Sequence, residues 1–214
     1  MSMPHECRCG TCHKTMGGGL FRLPRQNDNY DYLTLPELHF HKRDTETHVF
    51  FYEQEFYVLS NFSSFQVWWP SENTEHGGAW HQTSEHLYHY LKFRPDDGKD
   101  ANEMGRIIGV KHRIFNAISA HRAFEIAQEE KQLRRPDWDD VKVEVMKNIL
   151  RAKVNQHPYV KKKLLETGER ILIEDSWRDS FWGWGEDKKG QNVLGTLWME
   201  VRQEIRNAEE TKND

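Results

Sequence analysis

The stretch WHQTSEHLYHYLKF, residues 80–93, decides how the rest of the chain is interpreted. Thr83 or Ser84 offers the hydroxyl that commonly caps a helix, and the residues that follow have helical character until Pro95 stops them. The sequence therefore predicts a short helix that starts directly after this cap.

Three polar side chains fall on one face of the predicted helix. Residues seven apart differ by only about 20° around an α-helix and lie roughly 10 Å apart along it, so Glu85 and Lys92 share a face. His89 is within about 40° of Glu85, which places a carboxylate, an imidazole and an amine along one wall. On spacing alone, an ordinary solvated Glu/Lys surface is the favoured alternative.

Outward from residues 80–93, short apolar runs alternate with longer segments of helical periodicity. Strands are predicted at residues 49–52, 56–59, 65–69 and 171–173, and further helices at residues 101–108, 115–133, 136–152, 158–165 and 193–205. No internal repeat is visible, which argues against a solenoid. The pattern predicts an α+β fold that is predominantly helical and has a few short strands.

The composition is polar but rich in aromatic rings. Only 36% of the 214 residues are hydrophobic, and the mean hydropathy is -0.90. A disordered chain would fit these values, but the sequence also contains 8 Trp, 11 Phe and 7 Tyr, residues in which disordered chains are poor. Because large rings bury much area per residue, the chain is expected to form a core.

The charge balance excludes a general attraction to acidic polymers. The chain has 30 Lys+Arg against 34 Asp+Glu, a net charge of -4, so any contact with nucleic acid must be local. No run of about 18 apolar residues exists, and the N-terminus lacks the apolar stretch of a secretory signal. A soluble, cytoplasmic protein without membrane association is expected.

Three domains or tails are predicted: residues 1–47 as a tail or small Cys-containing appendage, 48–206 as the main domain, and 207–214 as a charged tail. Cys7, Cys9 and Cys12 carry zinc-ligand atoms, but a structural zinc site usually shows two separated pairs, so the cluster is a weak candidate. A reduced flexible tail is the favoured interpretation. A catalytic metal is not expected, because the histidines near Glu85 do not form H-E-x-x-H.

A second informative segment is WRDSFWGWG, residues 177–185. Three Trp within eight positions, mixed with Gly and a carboxylate, are untypical of a strand or a helix. They suit a binding loop in which Trp182 and Trp184 stack on a base or flank a ribose and Asp179 accepts a hydrogen bond. A hydrophobic plug under a surface loop is equally favoured by the residues alone.

Several motifs occur together in one order. They are LSNF at 59–62, the stretch at 80–93, RPDW at 135–138, residues 146–153, Thr167-Gly168, residues 179–185, GQNVLG at 190–195 and MEVR at 199–202. In this order they resemble the YbiA-like NADAR family of N-glycosidases, over about residues 48 to 206. The resemblance implies a single YbiA-like domain.

This resemblance implies hydrolysis of an N-glycosidic bond. Some members of the family act on phosphorylated riboflavin-biosynthesis intermediates, and others remove ADP-ribose from guanine bases. The residues at the positions of the family's functional motifs are Glu85, Trp138, Asp179 and Trp182, with Asn61 and Lys92 as further candidates. The chain departs from the family where many relatives have Gln, because His89 stands there.

The chemistry of such a bond assigns roles to these residues. Breaking a glycosidic C–N bond builds positive charge on the sugar, so Glu85 and Asp179 are expected as the catalytic pair. Lys92 is a candidate for a Schiff base with the opened ribose. The expected substrate contacts are made by Asn61, Trp138, Trp182, Trp184 and His89.

The expected partner is an ADP-ribosylated guanine, in nucleic acid or as a free nucleotide, and no cofactor is expected. Basic side chains are candidate diphosphate contacts, although a solvated face is favoured for each; they are Arg106, Lys111, Arg113 and Lys153. Two alternatives stay open: an N-glycosidase acting on riboflavin-biosynthesis intermediates, and a module that binds ADP-ribose without cleaving it.

Overall fold

Helices dominate the residues that this computed structural model describes, which are 44–52, 54–71, 77–95 and 100–211. The strands are β1 (His48–Phe51), β2 (Val67–Pro70), β3 (Gly78–His81) and β4 (Ile171–Glu174). The helices are α1 (Ser84–Tyr90), α2 (Ala101–Phe115), α3 (Ala120–Glu129), α4 (Trp138–Gln156), α5 (Pro158–Glu166) and α6 (Val193–Glu210). The predominantly helical α+β prediction is confirmed.

The four strands form two separate pairs. β1 and β4 pair in parallel, with His48 opposite Ile171 and Phe51 opposite Glu174. β2 and β3 form an antiparallel pair in which Val67 lies opposite His81. Because parallel strands require a crossover, the chain between β1 and β4, which includes α1 to α5, returns β4 to the side of β1.

α1 lies between two hydrophobic clusters. The larger cluster includes Leu87 of α1, Leu172 of β4 and Trp198 of α6. The smaller one joins α2 and α3 around Ile107, and Phe93, just after α1, is part of it. α1 contacts α2, α3 and α4, so its short length is compensated by packing on several sides.

The structure corrects the strand predicted at residues 56–59. This segment belongs to a 3₁₀ helix over Gln54–Leu59, interrupted at Phe56. Its end turns back on itself, because the N–H of Ser60 donates to the carbonyl of Tyr57 at 3.0 Å. Phe56, Val58 and Leu59 are buried in this conformation, while β1 takes β4 as its strand partner.

The helix predicted at residues 115–133 was also wrong in extent. α2 continues through Gly105 and Gly109 as far as Phe115, and α3 starts anew at Ala120. Ser119 caps α3 by accepting a hydrogen bond from the N–H of Arg122 at 3.1 Å.

Across the described residues, no helix combines the length and apolar character that crossing a membrane requires.

Candidate active site

The site begins at the N-terminus of α1, where segments distant in sequence are joined. Thr83 is the N-cap, and its Oγ1 accepts a hydrogen bond from the backbone N–H of His86 at 3.2 Å. The N–H of Glu85 donates to the carbonyl of Asn61 at 3.1 Å. The cap and this bond fix Glu85 against the LSNF turn.

Glu85 and His89 form a buried hydrogen-bonded pair one helical turn apart. Glu85 Oε1 and His89 Nε2 are 2.6 Å apart, and Glu85 is only 9% exposed. Burial by itself raises the pKa of Glu85, but His89 and Lys92 outweigh this effect and hold the pKa of the carboxyl below its ordinary value. Burial lowers the pKa of His89, with Glu85 opposing. At neutral pH the pair is therefore a carboxylate that accepts from a neutral imidazole.

Lys92 lies just beyond α1, which ends at Tyr90 instead of continuing to Phe93 as predicted. The helical path is still maintained, because Leu91 has φ −74° and ψ −10°. The N–H of Lys92 donates to the carbonyl of His89 at 3.3 Å. The wall predicted from helical spacing therefore persists past the last helical residue.

The Lys92 amine lies among aromatic rings. Its Nζ is 4.7 Å from the ring centroid of Tyr88 and 5.8 Å from that of Trp138. It makes no hydrogen bond or ion pair with any described residue. Burial, opposed by Glu85, lowers the pKa of Lys92 to about 8, and nearby cations reinforce the decrease. A fraction of about a tenth is then uncharged at pH 7.

Tyr88 connects the two sides of the site. Its ring lies 5.0 Å from Trp138 and 5.5 Å from Trp182, the latter in an edge-on arrangement. Burial raises the pKa of Tyr88, so the phenol stays neutral. We refer to Glu85, Tyr88, His89 and Lys92 as the α1 wall.

The opposite side is formed by residues 175–192, here called the Trp loop, which connects β4 to α6. Asp179 organises its turn, because Oδ1 accepts hydrogen bonds from the backbone N–H groups of Phe181 and Trp182, each at 2.8 Å. The Asp179 charge acts on both Tyr88 and Glu174. One carboxylate oxygen of Asp179 is thus used by the loop, while Oδ2 makes no hydrogen bond with a described residue.

The GQNVLG motif supports the loop. Asn192 adopts a left-handed backbone conformation with φ 50°, and its side chain bridges β4 by accepting from the N–H of Glu174 at 2.9 Å and donating to the carbonyl of Leu172 at 2.8 Å. A Cβ at Gly195 would collide with the Leu172 carbonyl. Glycine at this position lets α6 approach β4 closely.

Asn61 and Lys153 occupy the buried side of the LSNF turn. Lys153 is 0% exposed and donates to the carbonyl of Ser60 at 2.9 Å and to the Ser63 Oγ at 2.8 Å. Burial lowers its pKa to about 7. The Asn61 side-chain amide contacts the Met146 sulfur, while its Oδ1 is buried without a partner in the described part of the chain. Lys153 is therefore too enclosed to contact a diphosphate, which corrects that candidate.

Most of the predicted site residues come together, and one does not. Glu85, His89, Lys92, Trp138 and Trp182 surround Tyr88 directly or through one neighbour. Trp184 is directed elsewhere, since its indole N–H donates to Asp175 at 3.0 Å and its ring lies 5.1 Å from Phe50.

Besides Asn61, two of the predicted substrate contacts are enclosed in this structure. Trp138 is only 1% exposed and belongs to the larger core, and His89 is buried with its Nε2 engaged by Glu85. His89 Nδ1 is also buried, with no hydrogen-bond partner in the ranges that the structure describes. The roles of these two residues toward a substrate stay predictions.

Sequence reasoning missed two residues of the site region, Tyr88 and Glu174, and it considered Lys153 as a diphosphate contact and not as a buried residue. Tyr88 is a helical neighbour of Glu85 at three positions and of Lys92 at four, a spacing that brings side chains together. Lys153 follows Ile149 by four and so lies on the inward stripe of α4. Glu174 lies two positions after Leu172 in β4, on the same buried face of the strand. The signals existed, but charged residues are rarely assigned to a core.

The metal candidate at Cys7, Cys9 and Cys12 lies outside the described residues. Within the described ranges, no group of three or more His, Cys, Asp or Glu side chains is arranged to hold a metal ion.

The geometry defines an α+β domain with a buried Glu–His pair, an adjacent lysine and an aromatic loop opposite. Comparison with known families identifies the family to which this α+β domain belongs. The NADAR domain family matches residues 50–206, and the chain belongs to that family.

Relatives of the chain carry two kinds of name. The chain is 35% identical over 160 residues to a riboflavin biosynthesis protein of Vibrio vulnificus, which covers 75% of this chain and 39% of that protein. It is 38% identical over 151 residues to an N-glycosidase of Nostoc punctiforme, covering 67% and 91% of the two chains. It is 34% identical over 145 residues to the N-glycosidase YbiA of Escherichia coli, covering 68% and 81%.

The extent of these matches differs among the relatives. The aligned part spans 39% of the Vibrio protein and only 23% of a riboflavin biosynthesis protein of Zea mays. The solution NMR structure of Escherichia coli YbiA superimposes with a TM-score of 0.61 and 27% identity, covering 80% of this chain and 92% of that one. The fold of this chain is therefore similar to that of YbiA.

Proposed function

We propose that this protein is an N-glycosidase that hydrolyses the bond between ADP-ribose and a guanine base, in nucleic acid or in a free nucleotide. The observation that carries the proposal is the α1 wall, where a buried carboxylate and a lysine of lowered pKa stand beside an aromatic surface. The relatives named N-glycosidase support the reaction class.

Glu85 provides the negative charge that such a reaction needs. When the glycosidic C–N bond breaks, positive charge develops on the ribose, and a carboxylate in a site of low dielectric stabilises it strongly. The His89 N–H bond to Oε1 orients the Glu85 carboxylate. Asp179 supplies the second carboxylate, whose free Oδ2 suits a ribose hydroxyl or the attacking water.

Lys92 offers a covalent route to the same products. If the ribose opens to an imine with the base nitrogen, the neutral amine of Lys92 adds to C1′, the base leaves as an amine, and water hydrolyses the new Schiff base. A pKa of about 8 supplies the neutral amine near physiological pH.

Borohydride reduction during turnover tests this route by fixing the sugar to the protein. Peptide mapping should locate the adduct at Lys92. Lys111 is the matched control, because its Nζ also lies over a tyrosine ring, 4.1 Å from Tyr90. A turnover-competent protein that forms no adduct contradicts the covalent route.

The surroundings of Lys92 favour a large ligand that carries phosphate. Phe181 and Trp182 lie at the same end of the site as Tyr88, which gives more stacking surface than a small pyrimidine requires. Lys142 Nζ lies 4.4 Å from the Phe181 ring centroid, and Arg134 is close enough to affect Lys92. These cations suit a diphosphate next to stacked rings.

A phosphorylated riboflavin-biosynthesis intermediate is the second candidate substrate. It is favoured by the names of the Vibrio and Zea mays relatives. Such a ligand also has an N-glycosidic bond and a phosphate, so the same α1 wall would serve it.

One parallel assay separates these possibilities. The protein is incubated with guanine-ADP-ribosylated DNA and, separately, with the aminouracil phosphate of riboflavin biosynthesis, and released sugar is measured. Release of ADP-ribose is the expected result. Release from the aminouracil phosphate alone transfers the proposal to the second substrate. Retention of ADP-ribosylated DNA without release from either substrate identifies a binding module and contradicts the enzyme.

A further inference from the structure

Glu174 is an enclosed carboxyl that the mechanism above does not use. It is the last residue of β4, is 6% exposed, and its Oε2 is buried without a hydrogen-bond partner among the described residues. Its backbone is held on both sides, because its N–H donates to Asn192 and its carbonyl accepts from the N–H of Trp184 at 3.3 Å. A buried polar atom without a partner is costly, so its presence at this junction calls for a function.

The charged groups that act on Glu174 lie on α1, on the Trp loop and on α4. They are Glu85 of α1, Asp175 and Asp179 of the Trp loop, and Lys153 of α4. Burial raises the pKa of Glu174 well above its ordinary value, and the three carboxylates add to the increase. Lys153 opposes them, and its effect on the pKa of Glu174 is smaller than theirs.

Glu85 and Glu174 therefore differ in protonation state, because their environments shift their pKa values in opposite directions. Glu85 accepts a hydrogen bond from His89 and is ionised, whereas Glu174 Oε2 accepts none from a described residue, and burial and the neighbouring carboxylates disfavour the charged form of Glu174. Two carboxyls held in opposite protonation states are the usual arrangement of an acid and a base in one site. Asp179 is less suited to deliver a proton, because its Oδ1 already accepts two backbone N–H groups.

We propose that Glu174 is the proton donor of this site and protonates the leaving base nitrogen. This inference rests on the proposed N-glycosidase function and names a catalytic residue for it. It is carried by the enclosed Oε2 at the junction of β4 and the Trp loop, which has no hydrogen-bond partner among the described residues and lies near enough to Glu85 for the two carboxyls to interact electrostatically.

The step balances in atoms and charge. The C1′–N bond breaks, its electron pair goes to the base nitrogen, and the Glu174 proton transfers to that nitrogen. A water oxygen bonds to C1′ and its proton passes to Glu85. Return of this proton from Glu85 to Glu174 restores the enzyme. If Lys92 attacks C1′ in place of water, the leaving nitrogen needs the same proton.

A first measurement examines the proton directly in the free protein. With ¹³C-labelled glutamate carboxyls, the infrared difference spectrum between wild type and Glu174→Gln at pH 7 should contain a protonated-carboxyl band that belongs to wild type. If the difference contains only carboxylate bands, Glu174 is ionised and the inference is overturned.

Kinetics then test the transfer. Glu174→Gln should lower kcat by roughly 10² to 10⁴-fold, the usual contribution of a general acid, and Glu174→Asp should restore part of it. The wild-type kcat should fall as pH rises through the pKa of Glu174, and this alkaline decline should vanish in Glu174→Gln. Glu144→Gln, at a side chain that is 67% exposed, is the matched control and should behave as wild type.

The outcomes are distinguishable. Wild-type kcat in Glu174→Gln, or a lower kcat with an unchanged pH profile, overturns the acid role and leaves the N-glycosidase intact. A wild-type protein that cleaves neither substrate overturns the proposed function and with it the transfer to the base. The infrared band still decides whether Glu174 holds a proton in that case.

Discussion

The α1 wall and the Trp loop face the same site but are held in place by different interactions. The α1 wall follows a helical path, and its side chains meet at helical spacing, as in the 2.6 Å bond between Glu85 and His89. The Trp loop has no periodicity and is held by backbone bonds, for example from Gln191 N–H to the Ser180 carbonyl at 2.7 Å and from Val193 N–H to the Phe181 carbonyl at 3.0 Å. Side-chain chemistry is thus concentrated on the first, and backbone geometry maintains the second.

Glu85→Gln should have the largest effect and should act on catalysis alone. It removes the charge of the α1 wall, keeps a side chain of the same size, and should lower kcat by roughly 10² to 10⁴-fold. Circular dichroism should show an unchanged fold. Wild-type turnover in this variant would remove Glu85 from the mechanism.

Gly195→Ala should damage the support of the Trp loop without touching the α1 wall. The added methyl group meets the carbonyl of Leu172, and overpacking of this kind costs about 1 to 3 kcal/mol. Denaturant unfolding measures the loss. Gly109→Ala is the matched control, because nothing lies within 4 Å of its new Cβ and a helical Gly→Ala change gains roughly 0.5 to 1 kcal/mol. Equal stability of the two variants would contradict the close contact between α6 and β4.

The same contrast explains what the sequence could predict. Spacing alone placed Glu85, His89 and Lys92 on one wall, because helical geometry converts sequence distance directly into direction. The Trp loop showed its rings in the sequence but not their partners, since the Trp184 bond to Asp175 depends on loop conformation. Glu174 was missed because its protonation depends on carboxylates brought together only by the fold.

Two substitutions of Asp179 distinguish its hydrogen bonds to the Trp loop from its negative charge in the site. Asp179→Ala removes the acceptor of the Phe181 and Trp182 N–H groups, and the loss of such a cap costs about 1 kcal/mol. Asp179→Asn keeps an acceptor oxygen and loses only the charge, so its melting temperature should stay near that of wild type. Turnover should fall in both variants. Equal melting temperatures for Ala and Asn would show that the Oδ1 bonds do not hold the loop.

The smallest expected effect is the pH dependence that His89 brings to the α1 wall. Because burial holds the folded-state pKa of His89 below its ordinary 6.5, the unfolded chain takes up a proton in the window below 6.5 that the folded protein refuses. Stability from this residue is therefore fully present above pH 6.5 and decreases as pH falls. His89→Gln still offers an N–H to Glu85 but cannot titrate, so its melting temperature should decline less than that of wild type between pH 7.5 and pH 5, as measured by thermal unfolding. If the melting temperatures of wild type and His89→Gln decline in parallel below pH 6.5, His89 keeps its ordinary pKa despite its burial. Glu85 then accepts its hydrogen bond from a charged imidazole.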